Sequence, residues 1–545
     1  MLGMMMDRPL LIAPVMAHAA AYHGDREIVS RTVEGPIHRY TYRDSYRRMQ
    51  RLANALVALG VKPGDRVATL AWNGHRHLEL YYAVSGIGAV CHTINPRLFP
   101  EQLGYIINHA EDRFVFTDLT FVPLVEALAP HLKTVEATVV MTDRAHMPEA
   151  GPGKALCYEE LLEDQPESFE WPEFDENTAA MLCYTSGTTG HPKGALYSHR
   201  STLLHALCCL AGTDGNWASR GDSFLVVVPM FHVCAWGAPY SCPMVGAKLV
   251  FPGPGYDGES LHGLIEDEGV TTTAGVPTIW LGLLDYLGRS GKRLDGLTRM
   301  VCGGAAPPMA LIRAMQEDYG VEFIQGWGMT ETSPVAAVCS PTPDMEAMSA
   351  DELYAIKAKA GRPPFGVELK IVDDAGRRLP HDGEASGELL VRGPYVVRGY
   401  YGDEAASAAA FDDEGWFRTG DVSTIDPEGY MQITDRTKDL IKSGGEWISS
   451  IELENAVMAQ PDVAEAAAIA RPHPKWLERP LLVIVPKPGT TPGKDDILGF
   501  LADKVAKWWL PDDVVFVDDL PHTATGKVSK VQLRERFKDY ELPTA

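Results

Sequence analysis

No disulfide framework can be drawn on this chain. Its 545 residues hold nine cysteines, an odd and scattered set without a CxxC pair, so zinc ribbons and thioredoxin-type redox sites also lack support. Basic charge is short as well: 49 Lys and Arg against 73 Asp and Glu leave a net charge of −24. A phosphate backbone needs a basic surface, which argues against broad nucleic-acid binding. The excess acid lies upstream, since from Arg436 onward 15 basic residues nearly match 17 acidic ones. Long apolar runs are missing too. The most apolar long region, 224–251, contains Pro229, His232, Pro239, Pro243 and Lys248, and is expected as buried core rather than a membrane span. The opening MLGMMMDRPLLIAPVMAHAAAYHG faintly imitates a signal peptide, but Asp7 offsets Arg8, and Pro9 and Pro14 interrupt its apolar run. The expectation is a cytoplasmic protein with no nucleic-acid partner and no stable membrane insertion.

What is present reads as an α/β protein. With 45% hydrophobic and 22% charged residues the chain is globular rather than disordered, and its length predicts two or three domains. Thr41-x-x-Asp44 can cap a helix whose Met49, Leu52, Leu56 and Leu59 follow helical spacing and which Gly60 ends. The turn Pro63-Gly64-Asp65 leads into an apolar strand at 67–71, and the alternation predicts βαβ units on a largely parallel sheet. Residues 145–176, rich in Pro, Gly and acid, are expected as an exposed connection. After about residue 365, short strands alternate with turns such as Asp426-Pro427-Glu428-Gly429, which predicts an antiparallel β-subdomain. Past Thr434 mixed α/β patterning returns, with helices expected over 451–458 and 497–508, a strand over 481–485 and a terminal basic helix. The division is placed at 1–435 and 436–545.

The most informative segment is Tyr184-Thr-Ser-Gly-Thr-Thr-Gly-His-Pro-Lys-Gly194, delivered by the apolar stretch 178–183. Glycines let backbone N–H groups approach an anion closely, hydroxyls stand beside them, and Lys193 adds charge, a combination that suits a polyphosphate. It is not a Walker A loop, because Gly194 follows the lysine where Ser or Thr should stand. No G-x-S-x-G surrounds Ser186 or Ser443, so an α/β-hydrolase is not supported. His75-Arg76-His77 lacks zinc-ligand spacing.

Together with Gln325-Gly-Trp-Gly-Met-Thr-Glu331, Thr419-Gly-Asp421, the run Asp435–Trp447 and Thr525-Gly-Lys527, this loop resembles the adenylate-forming superfamily. Order and spacing are similar to acyl-CoA synthetases over essentially the whole chain, above all to bacterial medium- and long-chain fatty-acyl–CoA ligases and to 3-methylmercaptopropionyl–CoA ligases. The resemblance implies a large N-terminal domain of βαβ-type subdomains plus a β-subdomain, and a small mobile α+β C-terminal domain. It also implies a two-step reaction: a carboxylate attacks the α-phosphorus of ATP to give acyl-adenylate and pyrophosphate, and the thiol of CoA then displaces AMP. Mg²⁺ is the implied cofactor, with Glu331 as its ligand and Thr188 as a second metal or phosphate contact. Thr185, Ser186, Gly187, Thr188, Thr189 and Lys193 would cradle phosphates, Thr330 would touch the α-phosphate, and Lys527 would neutralise charge at the reacting oxygens. Trp327, where many relatives carry Tyr, would stack on adenine flanked by Gly304, Ala305 and Gly326, while Asp421 and Arg436 would hold the ribose.

On the acyl side, the resemblance puts His232 near the reacting carboxyl and makes Trp236 the gate of an acyl tunnel. The segment holds no Asp to grip an amino-acid ammonium, which counts against a peptide-synthetase adenylation domain. Lys438 is the expected hinge, and Ser443-Gly444-Gly445 the loop that faces CoA. A luciferase-like oxygenase would share the adenylate chemistry, and a non-catalytic sensor of ATP or acyl groups is disfavoured by the intact motif set. Some close relatives are dimers through the large domain, so a homodimer is expected.

Overall fold

The computed structural model describes residues 1, 3–149, 155–185, 191–212, 217–443, 446–523 and 527–544. Thr41 caps the helix Tyr42–Ala58: its hydroxyl accepts from the Asp44 backbone N–H, and the Asp44 carboxylate accepts from the Thr41 N–H, a reciprocal pair that satisfies two end donors. The face carrying Met49, Leu52 and Leu56 is fully buried, and Gly60 leaves the helix at φ +85°, a conformation costly for any residue with a Cβ.

Two large sheets carry the first two thirds of the chain. One runs, from edge to edge, Ala155–Cys157, Ala137–Val140, Asp112–Thr117, Arg66–Leu70, Val90–Thr93, Ala179–Tyr184 and Gly194–Ser198, parallel throughout except for the last pair. The other runs Val335–Val338, Glu322–Gly328, Arg299–Cys302, Thr272–Gly275, Ser223–Val226, Lys248–Phe251, Glu27–Arg31 and Ile37–Thr41, parallel in its middle and antiparallel at both ends. Inner strands such as Val90–Thr93 and Ser223–Val226 are buried along their whole length, as parallel strands covered on both faces must be. One continuous core joins the two sheets through the helices Ala13–Tyr22, Tyr42–Ala58, His75–Gly86 and Ala238–Val245.

Residues 145–176 depart from the expectation of an exposed connection. They supply the edge strand Ala155–Cys157 and the helix Tyr158–Glu163, whose buried Tyr158 donates to Glu79 Oε2 at 2.7 Å. Three sheet residues in a polar background are too short a signal for hydrophobic patterning to register. His77 is spent structurally, one ring nitrogen 2.9 Å from Thr69 Oγ1 and the other 3.1 Å from the Trp72 carbonyl.

The antiparallel sheet expected after residue 365 consists of Glu368–Val372, Gly387–Arg392, Phe417–Ile425 and Met431–Arg436. A separate C-terminal domain follows. Its sheet orders Glu446–Ile448, Ile441–Ser443, Leu477–Pro486 and Val463–His473, with Asp513–Phe516 pairing parallel to Leu477–Pro486. The helix expected over 497–508 spans Lys494–Ala502 instead, and Lys507–Trp509 forms a single tight turn before Pro511, which restrains the residue ahead of it to extended geometry. Among the described residues no helix is long and apolar enough to cross a membrane.

Candidate active site

The strand Ala179–Tyr184 hands the chain to Thr185, and the strand Gly194–Ser198 pairs antiparallel beside it, so the two form a hairpin. At its neck the Thr185 N–H donates to the Lys193 carbonyl at 2.9 Å, and the Lys193 N–H donates to Thr185 Oγ1 at 3.4 Å. Ser186, Gly187, Thr188 and Thr189 lie outside the described residues. Tyr401 extends the neck, its N–H donating to the Gly194 carbonyl at 2.8 Å.

Facing the neck is Glu331, on the short turn Thr330–Thr332 and nearly fully buried. Burial pushes its carboxyl pKa up, against the opposing pull of a hydrogen bond from Tyr400 and of the Arg436 and Lys193 charges. Tyr400 donates to Glu331 Oε1 at 2.7 Å while the Lys193 ammonium sits 4.8 Å from the centre of its ring. Sequence motifs alone missed Tyr400. The available signal was Gly399-Tyr400-Tyr401-Gly402: at 399 a Cβ would fall 2.9 Å from Ser407 Oγ, and Gly402 has φ +65°. Thr330 is buried, and its carbonyl accepts from the Tyr197 hydroxyl at 2.5 Å. A single buried carboxylate suits a hard cation shared with substrate phosphates, and among the described residues no group of three His, Cys, Asp or Glu forms a protein-only cage.

The residues expected at the nucleoside also converge. Gly326 and half-buried Trp327 lie on Glu322–Gly328, and the Trp327 indole N–H donates to Asp421 Oδ2 at 2.9 Å. Arg436, opposite Asp421 in the antiparallel register, places its Nε 3.3 Å from Oδ1. A carboxylate accepts up to about four hydrogen bonds, so two such partners orient Asp421 without saturating it. Gly304 and Ala305 follow the strand Arg299–Cys302, Gly304 with φ +82°.

Lys527 reaches this cleft from the C-terminal domain. Its carbonyl accepts from the Thr523 N–H at 2.6 Å, its own N–H donates to Thr523 Oγ1 at 3.2 Å, and Thr525 and Gly526 between them lie outside the described residues. Its Cε lies 3.9 Å from where a Cβ on Gly304 would stand. Water reaches the side chain, yet protein crowds the open cleft around it. Desolvation first, then the Arg436 charge, lowers its pKa to about 8, while Asp421 pulls the other way.

His232 is half-buried, and desolvation together with the Lys527 charge lowers its pKa to about 4, so the imidazole is neutral near pH 7. The next four residues take a conformation no motif foretold. Val233, Cys234, Ala235 and Trp236 have φ of 48°, 52°, 51° and 53°, a buried left-handed turn that only Gly237, at φ +80°, enters without a Cβ. Such geometry costs about 1–2 kcal/mol per non-glycine residue, so surrounding packing must hold it. Cys234 Sγ lies 3.7 Å from Cys183 Sγ, under the strand that feeds the hairpin. Trp236 is buried with its ring edge against Gly303, where a Cβ would come within 3.0 Å of it. Gly303 and the buried His205, which accepts from the Val335 N–H at 3.1 Å and crowds Gly237, are further residues that motifs missed.

Lys438 sits exposed in the turn between the β-subdomain and the C-terminal sheet, where the Asp439 and Leu440 N–H groups both donate to the Arg436 carbonyl, at 2.8 and 3.0 Å. Ser443 is buried and accepts from Arg479 Nη1 at 3.1 Å, on the C-terminal sheet; Gly444 and Gly445 lie outside the described residues.

Comparison with known proteins places the chain in a family. Residues 16–401 match the AMP-binding enzyme family, and residues 452–527 match the AMP-binding enzyme C-terminal domain. The chain is 53% identical over 540 residues to a 3-methylmercaptopropionyl-CoA ligase of Ruegeria lacuscaerulensis, covering 99% of each chain. It is 49% identical over 542 residues to a medium-chain-fatty-acid–CoA ligase of Ectopseudomonas oleovorans, covering 99% of this chain and 98% of that one. Among solved structures, the anthranilate CoA ligase AuaEII with anthranoyl-AMP superimposes with a TM-score of 0.87 at 27% identity, over 98% of each chain. This chain belongs to the AMP-binding enzyme family.

Proposed function

We propose that the protein is an ATP-dependent acyl–CoA ligase for unbranched, apolar carboxylic acids of medium to long chain, working through an acyl-adenylate. A carboxylate oxygen attacks the α-phosphorus and pyrophosphate leaves; the CoA thiol then attacks the acyl carbon and AMP leaves. The observation that carries this reading is the approach of Lys527 to Gly304 beside Arg436, Asp421 and His232, which joins a C-terminal cation to both nucleotide-side and acyl-side groups. In the first step two anions meet, so a fixed ammonium offsets their repulsion. Trp327 and Asp421 would hold adenine and ribose with help from Arg436, Thr330 would meet the α-phosphate, and Thr185–Thr189 with Lys193 would cradle the remaining phosphates. Glu331, with Thr188, would hold Mg²⁺, whose chemistry is to draw off phosphate charge. Neutral His232 would border the reacting carboxyl without repelling Lys527, and Trp236 would close the acyl path.

We further read 1–435 and 436–545 as two units hinged at Lys438, with Ser443–Gly445 turning towards CoA in the second step, in a cytoplasmic homodimer. A CoA-dependent AMP-release panel from propionate to palmitate, including 3-methylmercaptopropionate, aromatic acids and amino acids, tests the substrate class. Each buried CH₂ contributes about 0.8 kcal/mol, so specificity should climb with chain length until the tunnel ends. Strict preference for an amino acid would sink the reading. A second reading, 3-methylmercaptopropionate as the acid, draws on the 53% identity to a ligase of that name; a peak at that acid in the same panel would select it.

A further inference from the structure

Lys193 and Glu331 carry opposite charges close enough to feel each other, yet no ion pair joins them among the described residues. Tyr400 stands between. Its ring lies under the Lys193 ammonium at 4.8 Å from centre to nitrogen, and its hydroxyl donates to Glu331 Oε1 at 2.7 Å. Its backbone is fastened on both sides. The Val397 N–H donates to the Glu331 carbonyl at 2.8 Å and the Tyr401 N–H to the Gly194 carbonyl at 2.8 Å, while the Tyr400 N–H is held by Ser407 Oγ at 2.8 Å. The segment 397–401 thus bridges the exit of the phosphate hairpin and the turn that carries Glu331.

We propose that Tyr400 is a positioning residue for adenylate formation, a spacer that keeps Lys193 and Glu331 from neutralising each other so that both stay directed at the polyphosphate. The inference rests on the ligase reading for the roles of those two charges. The physical reason is elementary: opposite charges in a partly dry cleft attract strongly, and a lysine and a glutamate paired with each other are both withdrawn from substrate. An aromatic face satisfies the ammonium and a phenol satisfies the carboxylate, each by a partner that a phosphate group or a cation can displace. Tyrosine offers both from a single rigid ring.

Two variants separate the contacts. Tyr400→Phe keeps the ring and removes the hydroxyl; Tyr400→Leu removes both. ATP–pyrophosphate exchange should fall about tenfold in kcat/KM for ATP with Phe and about a hundredfold with Leu. Conversion of supplied acyl-adenylate and CoA to thioester, which uses neither charge, should stay within about twofold of wild type in both. Affinity for ATP measured by calorimetry in EDTA, with no metal present, should drop about tenfold in Tyr400→Leu and recover when Glu331→Gln is added, because Lys193 is then released again. Exchange unchanged in both variants, a parallel loss of both half-reactions, or no recovery in the double variant would each overturn the spacer role. Absence of exchange in the wild type with every acid would instead sink the ligase reading, and the spacer with it.

Discussion

Lys527 should impose an alkaline limb on adenylate formation. With a pKa near 8 in the free enzyme, its charged fraction falls roughly tenfold between pH 7 and pH 9. The apparent kcat/KM for ATP–pyrophosphate exchange reports the free enzyme and should fall by about the same factor over that range. Few other groups confuse this window. Carboxylic acids titrate at about 4 and phosphate esters at about 6, so both substrates are already ionised. His232, at about 4, is neutral throughout. The CoA thiol, which would titrate near 8.5, is absent from the exchange assay. Bound phosphates favour the ammonium, so the limb in kcat should lie at higher pH than the limb in kcat/KM. Lys527→Ala should lower exchange by about 10²–10³ and leave the residual rate flat from pH 7 to 9, while thioester formation from supplied adenylate persists. A limb near pH 8 that survives in Lys527→Ala, or a flat wild-type profile, would refute the assignment. The sign for stability is opposite: between about 8 and 10.5 the unfolded chain holds a proton on this lysine that the folded chain has released, so this group makes unfolding harder as pH rises through that window.

Trp327→Phe keeps a ring but deletes the N–H that Asp421 accepts; a hydrogen bond to a charged group is worth about 1.5–3 kcal/mol, so kcat/KM for ATP should fall about tenfold or more while KM for the acid holds, as steady-state kinetics in both substrates will show. Ala235→Gly would cost about 1 kcal/mol in an ordinary helix, but at φ +51° it should be neutral or stabilising by up to about 1 kcal/mol; a lowered midpoint in denaturant titration would count against the left-handed turn. Trp236→Ala should change the chain-length profile more than KM for ATP; if thermal denaturation shows about 3–5 kcal/mol lost and all acids decline together, the residue is core and not a gate.

The clustering of the residues proposed for the nucleotide was legible because they are residue types at fixed spacing. Asp421 and Arg436 are 15 positions apart in sequence yet register partners across one hairpin, so a motif that preserves the spacing preserves the contact. The hairpin neck at Thr185 and Lys193 is readable for the same reason, since both ends of the loop lie in one short run. The glycines around Tyr400 mark a constrained turn, but what Tyr400 touches was not readable. Its ring and hydroxyl meet Lys193 and Glu331, far away in the chain, and a tyrosine between glycines looks like any turn aromatic until the sheets bring the three together. Nor could the edge strand Ala155–Cys157 be recovered, because its hydrogen bonds, not its hydrophobicity, define it.

The left-handed turn at 233–236 shows a different limit. Val, Cys, Ala and Trp all disfavour positive φ, so local propensity points away from what the chain does there. Tertiary packing has to override it, and the neighbours that do so adjoin the groups proposed to form the site. Cys234 packs on Cys183, one residue before the hairpin's Tyr184, and Trp236 packs on Gly303, one residue before the Gly304 that borders Lys527. The turn is thus clamped between the hairpin that begins at Ala179 and the strand end that carries Gly303 and Gly304. If the clamp is what sustains the strain, enlarging Gly303 should act at a distance. Gly303→Ala would put a methyl group within 3.0 Å of the Trp236 ring and 2.9 Å of the Gly326 carbonyl, and the ring is the side that can move. The acyl side and the ATP side should then respond together to one methyl group, because the same strained turn is seated on both.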